Sequence, residues 1–263
     1  MKSVLSIAGS DSSGGAGIQA DIKTIQAHHL FAQTAITALT AQNTTGVYGV
    51  LDVDPAFVTQ QIDVVFDDIK PDAVKIGMVS SAAIVDAIAE ALVRHKAENI
   101  VVDPVMVATS GSELSSSEAV VALRNRLVPL ATVITPNVPE AEVLSGARIE
   151  TAADQEREAV RIARETGVCV LVKGGHGSND ANDVLARPDG SVTWFEGERI
   201  DTGNTHGTGC TLSSALACGL ALGLPLEEAV AAAKRYVTGA LSTGLDLGRG
   251  SGPLDHMWNN HLG

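Results

Sequence analysis

Short apolar runs alternate along this chain with longer stretches in which apolar residues return every three or four positions. The short runs, rich in Val and Ile, predict strands at 4–8, 36–40, 73–76, 100–102, 133–135 and 168–172, with a shorter extended piece at 47–53. The periodic stretches predict helices. One spans about 18–28, and a second opens on Pro55, a residue that suits a first helical turn, and runs through 66. Ser80 or Ser81 caps a long helix ending near 95, and Ser116/Ser117 cap one through about 127. The segment after Asn137 turns helical until Gly146, and Thr151 caps 153–165. Runs at 184–187 and 192–195 flank Pro188-Asp189-Gly190 and predict a β-hairpin, followed by two closing helices at about 209–222 and 226–241.

Apolar strands that each lead into a helix predict an α/β protein with a mainly parallel sheet and helices on both faces. No linker, repeat or low-complexity stretch interrupts 1–263, so one domain is expected, with the Gly- and Ser-rich 174–182 read as a loop. In such a sheet ligands bind beyond the carboxyl ends of the strands. Polar residues gather there: Gly9-Ser10-Asp11, Gln42 and Asn43, Lys75 to Met78, Asp103, Asn137 with Glu140, and Lys173.

Composition narrows the function. With 18 Lys+Arg against 31 Asp+Glu, the net charge of −13 argues against a sequence-independent grip on nucleic acid or anionic lipid. The hydrophobic fraction of 45 % supports a sizeable core, and with only 3 % aromatics that core is aliphatic. No apolar segment has the length and continuity of a signal peptide or membrane span. Three cysteines, none in a CxxC pair, suit reduced thiols in a cytoplasmic protein better than bridges or a zinc site.

The sharpest chemistry lies in 201–210, where Gly207 and Gly209 precede an apolar helical run. Amides at a helix N-terminus can hold phosphate or a developing anion, although a plain Gly-rich turn is the alternative. Cys210 falls in the first turn, where the helix end is expected to lower a thiol pKa, while Cys169 and Cys218 fit small buried hydrophobes. There is no GxxxxGK[ST], and the glycines after the first strand lack dinucleotide-binding spacing, which disfavours a dehydrogenase. Those glycines can instead form a close wall for a small flat substrate, or a purely structural loop. Asp103, Asn137 and Glu140 offer hard oxygens of the kind magnesium takes alongside phosphate and water, each being otherwise a cap or surface acid. Lys173, ending an apolar strand, needs an anionic partner, either a triphosphate or a structural carboxylate.

The segments AGSDSSGGAGIQAD (8–21), AQNTTGV (41–47), KIGM (75–78), DPVM (103–106), TPNVPE (135–140), KGGH (173–176) and NTHGTGCT (204–211) resemble, in order over nearly the whole chain, hydroxymethylpyrimidine/phosphomethylpyrimidine kinase, a thiamine-biosynthesis family of the ribokinase-like superfamily. The resemblance implies a three-layer α/β/α sandwich with a small β-hairpin or flap, and a homodimer. It also implies ATP- and Mg2+-dependent phosphorylation of 4-amino-5-hydroxymethyl-2-methylpyrimidine to its monophosphate and then the diphosphate. It places Gly9, Asp21, Gln42, Met78 and Val105 around the pyrimidine and Lys173, Asn137 and Thr208 at ATP. Asp103 and Glu140 fall in the metal region, and Gly207, Thr208 and Gly209 form an anion hole ending at the catalytic Cys210. The family commonly has lysine where this chain has Gly203, so no side-chain contact to ATP is implied there. An aminopyrimidine edge matches the amide of Gln42 in a two-point hydrogen bond that pyridoxal lacks. A pyridoxal kinase of the same branch and a catalytically silent pyrimidine sensor are the rival readings, and the intact set Asp103, Glu140, Lys173 and Cys210 weighs against the sensor.

Overall fold

The computed structural model describes residues 1–106, 116–175 and 181–259; His176 and most of the loop expected at 174–182 lie outside the described residues. Strand β1 (Ser3–Ala8) is buried at every position, because it lies in the middle of a sheet between β2 (Phe31–Ile36) and β5 (Ala73–Ile76). The sheet continues from β5 through β6 (Ile100–Val102), β7 (Val133–Ile134) and β8 (Cys169–Val172), all parallel. It then ends in the antiparallel strands β9 (Asp183–Ala186) and β10 (Val192–Phe195). The order is β10-β9-β8-β7-β6-β5-β1-β2, so the chain leaves β1 toward one edge and returns at β5 on the other side. A crevice opens where the order reverses, beyond the carboxyl ends of β1 and β5.

Apolar side chains fill both faces of this sheet. Helices α2 (Pro55–Asp68), α3 (Ala82–His95) and α6 (Ala152–Thr166) pack on one face; α1 (Gly17–Ala27), α7 (Thr208–Ala221) and α8 (Leu226–Ser242) pack on the other. The expected three-layer α/β/α, mainly parallel architecture is therefore present. Several helix starts follow the residues that predicted them. Asp54 caps α2 ahead of Pro55, Ser81 caps α3, and Thr151 forms a capping box with Asp154 on α6. Helix α4 (Ser117–Ala122), capped by Ser116, loosens into a π turn over Leu123–Leu127.

The strand expected at 36–40 is corrected. Residues 31–36 form the sheet's edge strand β2, and a separate strand β3 (Ala38–Asn43) pairs with β4 (Gly46–Asp52) in a two-stranded hairpin outside the main sheet. Buried Thr37 makes the corner, its N–H donating to the Ala8 carbonyl and its hydroxyl to that of Met78. The polar pair Gln33 and Thr34 hid β2 from a reading based on apolar runs. The hairpin predicted around Pro188-Asp189-Gly190 does form, as β9–β10 on the other edge of the main sheet.

One buried charge pair ties the layers together. Lys75 of β5, with no solvent exposure, donates to both carboxylate oxygens of Asp21 on α1 at 2.9 and 2.8 Å. The hydroxyls of Ser6 on β1 and Ser214 on α7 also donate to Asp21. Burial pulls the Lys75 pKa down, and the charges of Asp21, Cys210 and Asp103 outweigh it, holding the ammonium above its ordinary value. Lys75→Met should strand the Asp21 carboxylate and cost about 3–5 kcal/mol in chemical denaturation, with Lys75→Met/Asp21→Leu recovering most of that loss. Equal losses in the single and double variants would contradict this account of the pair.

Candidate active site

Helix α7 begins at the rim of the crevice. Its N-cap, Gly207, has φ +85° and no side-chain cap, so the first-turn amides of Gly209 and Cys210 have no partner from the cap. A side chain at Gly207 would be strained at that φ, and its Cβ would run into the carbonyl of Gly15. The glycine loop after β1 and the loop before α7 thus touch backbone to backbone. The Thr208 hydroxyl donates back to the Thr205 carbonyl and steadies the turn.

A cavity of about 750 Å³ opens over this helix end, and every residue that the resemblance places at the pyrimidine, ATP, metal or anion hole lines it except Asp21, while Asn43 and Lys75 of the polar strand ends do not. A Cβ on Gly9 would meet the Met78 methyl at 3.0 Å, so these two residues close one wall of the slot. Val105 follows Asp103 on the same side, and Gln42 reaches in from β3 beside a bulge between Ala41 and Gln42. Gly203 has open space where a side chain would go, so no packing argument explains a glycine there.

Asp103 ends β6 and is almost completely buried. It accepts from Lys173 Nζ at 2.9 Å and from the Thr135 hydroxyl at 3.0 Å. Burial pushes the Asp103 carboxyl up, but the Lys173 and Lys75 ammonium groups prevail and keep it low. Of the two partners open to Lys173 from sequence, the structural carboxylate is therefore present. Asn137 and Glu140 form a capping box at the start of α5 (Val138–Ser145). Asn137 Oδ1 accepts from the Glu140 N–H, and Glu140 Oε2 accepts from the Asn137 N–H. Burial raises the Glu140 pKa to about 7; Lys173 pulls it down and Asp103 pushes it up. Among the described residues no cluster of three or more His, Cys, Asp or Glu could cage a metal. Asp103 and Glu140 suit instead a hard cation held by one or two carboxylates plus phosphate oxygens and water.

Cys210 overturns one expectation. Its thiol is raised to about 11, not lowered. Burial is the dominant cause, and the Lys75 ammonium and the Gly17 N–H pull the other way without prevailing. The helix end alone does not offset the loss of water around a thiolate. Cys218 is fully buried in the core, as expected, and Cys169 is half-buried.

Asp21 needs a second correction. It has no exposure and lies beneath the pocket floor rather than on its wall, because Lys75, Ser6 and Ser214 all draw it inward. Two side chains without an assigned role stand in the pocket instead. Asp11 accepts from Ser13 N–H and Oγ, Gly15 N–H and Ala16 N–H. It also meets His206 Nε2 at 2.8 Å, and the same nitrogen lies 3.2 Å from the amide of Gln42. Asp11 and His206 are 195 positions apart, so nothing local in the sequence marks the contact. Lys234 of α8 likewise reaches the rim, donating to Asp183 Oδ2 at 2.6 Å.

The family model for phosphomethylpyrimidine kinase matches residues 11–255. A hydroxymethylpyrimidine/phosphomethylpyrimidine kinase of Rhizobium meliloti is 51 % identical over 257 residues, covering 96 % of each chain. The thiamine biosynthesis bifunctional protein ThiED of Geobacter sulfurreducens is 50 % identical over 97 % of this chain, which spans 52 % of that longer protein. Among solved structures, an ADP complex of Bacillus subtilis pyridoxal kinase superposes with a TM-score of 0.90 at 38 % identity, covering 98 % of both chains. With the glycine-rich loop 14–17, the uncapped α7 end and the buried carboxylates Asp103 and Glu140 all inside the matched span, the chain belongs to the phosphomethylpyrimidine kinase family.

Proposed function

We propose that this protein transfers the γ-phosphoryl group of ATP to the hydroxymethyl oxygen of 4-amino-5-hydroxymethyl-2-methylpyrimidine, and then a second phosphoryl group to the monophosphate so formed, in thiamine biosynthesis. The observation that carries this reading is one cavity in which the uncapped α7 amides, the Asp103–Lys173 pair and Gln42 face the same space. Phosphoryl transfer asks mainly for positioning and for neutralising charge, and these groups supply both. In the first step the alcohol oxygen bonds to phosphorus, the bond to the β-phosphate oxygen breaks, ADP leaves, and the hydroxyl proton passes to the Cys210 thiolate. The second acceptor is already an anion and needs no base. Amides of Gly207 to Cys210 hold the phosphoryl oxygens in both steps, Lys173 meets the nucleotide phosphates, and Asn137 and Thr208 lie along the ATP side. Asp103 and Glu140 hold Mg2+, which supplies charge neutralisation on the phosphates.

Further features support the rest of the reading. Both apolar clusters share one sheet, in keeping with a single domain. Leu39, Tyr48, Val50 and Leu51 are exposed on the β3–β4 hairpin and suit burial in a homodimer. Three free cysteines fit a cytoplasmic protein, and among the described residues no helix is long and apolar enough to cross a membrane. The TM-score of 0.90 to a pyridoxal kinase makes pyridoxal the second candidate acceptor. ATP consumption with the pyrimidine, its monophosphate and pyridoxal, measured side by side, decides among kinase, rival kinase and silent sensor.

Three outcomes are expected. Cys210→Ala should lower kcat of the first phosphorylation by roughly 10²–10⁴ and the second far less. Because the free thiol sits at about 11, its thiolate fraction grows as pH rises from 7 to 9. Wild-type kcat/KM for the first step should therefore climb over that range while the second does not; parallel profiles would remove Cys210 as the base. For Glu140, a proton and Mg2+ compete for one carboxylate. As pH rises through about 7 the proton leaves, so less Mg2+ should half-saturate turnover at pH 8 than at pH 6. Glu140→Gln should flatten that dependence and weaken Mg2+-supported turnover without unfolding the protein; an unchanged Mg2+ dependence would refute the assignment. Finally, Gln42→Leu should raise KM for the pyrimidine and narrow its preference over pyridoxal, and an unaltered ratio of kcat/KM would show that Gln42 does not read the ring.

A further inference from the structure

The amide of Gln42 can lie in its place two ways round. In the structure its nitrogen lies 3.2 Å from His206 Nε2 and its oxygen 3.5 Å from Thr40 Oγ1, and turning the amide over exchanges the two. The ends have the same shape, so their partners decide which is oxygen and which is nitrogen. Both partners give the same answer. Burial pushes the Asp11 carboxyl up, but donation from His206, the Ser13 hydroxyl and the amides of Ser13 and Ala16 holds it at about 2, so it is ionised and can only accept. His206 Nε2, 2.8 Å from Asp11 Oδ2, must therefore carry the proton. That proton goes to Asp11, and a protonated nitrogen has no lone pair with which to accept from an NH₂ group, so His206 disfavours the amino end of Gln42 and the amide turns its carbonyl end there. At the other end, the single Thr40 hydroxyl proton is committed to the Ser10 carbonyl at 2.7 Å. Thr40 can then only accept from Gln42, which requires the NH₂ there.

We infer that His206, anchored by Asp11, is a positioning residue for substrate choice: with Thr40 it locks the polarity of the Gln42 amide and so dictates which way round a ligand's hydrogen-bonding edge must lie. The inference rests on the proposed pyrimidine kinase activity and adds an orientation to it. One Oε1 lone pair and one N–H of Gln42 remain for the ligand. The exocyclic amine of an aminopyrimidine lies on the His206 side, donating to Oε1, and the adjacent ring nitrogen lies on the Thr40 side, accepting from Nε2. A 4-oxo analogue, with a carbonyl in place of the amine and a protonated ring nitrogen, presents the reverse pattern and meets donor against donor.

The lock is tested by the ratio of kcat/KM for the 4-amino substrate to that for its 4-oxo analogue, with ATP. Wild type should favour the amine by roughly a hundredfold, the discrimination a two-point contact gives. His206→Ala frees the amide to turn and should cut that ratio roughly tenfold, about the worth of one hydrogen bond. His206→Gln can still donate to Asp11 and should restore most of it. In the Gln42→Leu background the ratio should already be near one, and His206→Ala should change it no further. Thr40→Val removes the lock from the other end and should also narrow the ratio, so it decides the matter if His206→Ala fails to fold. A His206→Ala variant that loses kcat on both substrates with the ratio intact, or one that narrows the ratio equally with and without Gln42, would overturn the inference, as would a wild type that takes both substrates alike. Should wild type phosphorylate neither the pyrimidine nor pyridoxal, the kinase reading falls with it; turnover of the pyrimidine with additive substitutions defeats the His206 inference alone.

Discussion

A lysine ammonium sealed from water beneath the crevice constrains the rest of this molecule. Lys75 has no exposed surface, and an unpaired charge there would be prohibitively costly. Asp21 answers it with both oxygens, and the Ser6 and Ser214 hydroxyls occupy further acceptor sites on Asp21. The four residues belong to β5, α1, β1 and α7. Satisfying one charge therefore fixes the two strands at the switch point relative to the two helices whose N-terminal ends face the cavity. Gly77 belongs to the same arrangement, since a Cβ there would come within 2.7 Å of Lys75 Nζ.

Above that floor the backbone itself does the positioning. Gly207 packs on the Gly15 carbonyl, and a side chain at Gly15 would strike the His206 ring. Because two glycine loops meet without side chains between them, Asp11 can reach His206, and His206 can reach Gln42 on the hairpin. Sheet, helix end and hairpin then converge on one space. The hairpin belongs to neither apolar cluster, and its place depends on contacts such as Thr40 with Ser10 and Gln42 with Ser12.

Features that depend on local chemistry were legible in the sequence. Capping residues, Pro55 and the β-branched runs gave most elements and the mainly parallel sheet, the polar strand ends gave the rim where the cavity lies, and of the residues that the resemblance nominated all but Asp21 line it. What escaped depends on distant partners. Strand β2 carries Gln33 and Thr34, and pairing with β1, not apolar content, makes it a strand. The corner at Thr37 is set by the Ala8 and Met78 carbonyls. Asp21, which the resemblance places at the pyrimidine, is drawn inward by Lys75, 54 positions away in sequence. Cys210 reads as an activated thiol because sequence shows the helix end and not the depth of burial that raises it to about 11.

The charges at the cavity suggest how one site can serve two different acceptors. Asp21 with Lys75, and Asp103 with Lys173, are paired carboxylate and ammonium groups, so these four contribute no net charge of their own. A nucleotide's phosphates entering this space bring negative charge that neither ammonium is free to neutralise alone. In the proposed reaction the uncapped α7 amides would carry part of that load without any counter-charge. Burial lifts the Glu140 carboxyl to about 7, so in the proposed reaction Mg2+ would compete there with a proton. A monophosphate acceptor adds more negative charge than an alcohol does, yet needs no proton removed. In the proposed reaction the second transfer would thus lean on the amides, Lys173 and the cation, and the first additionally on Cys210. The half-buried Cys210 thiol is then the one group on which the two proposed reactions differ, while the frame that Lys75 and Asp21 hold in place is common to both.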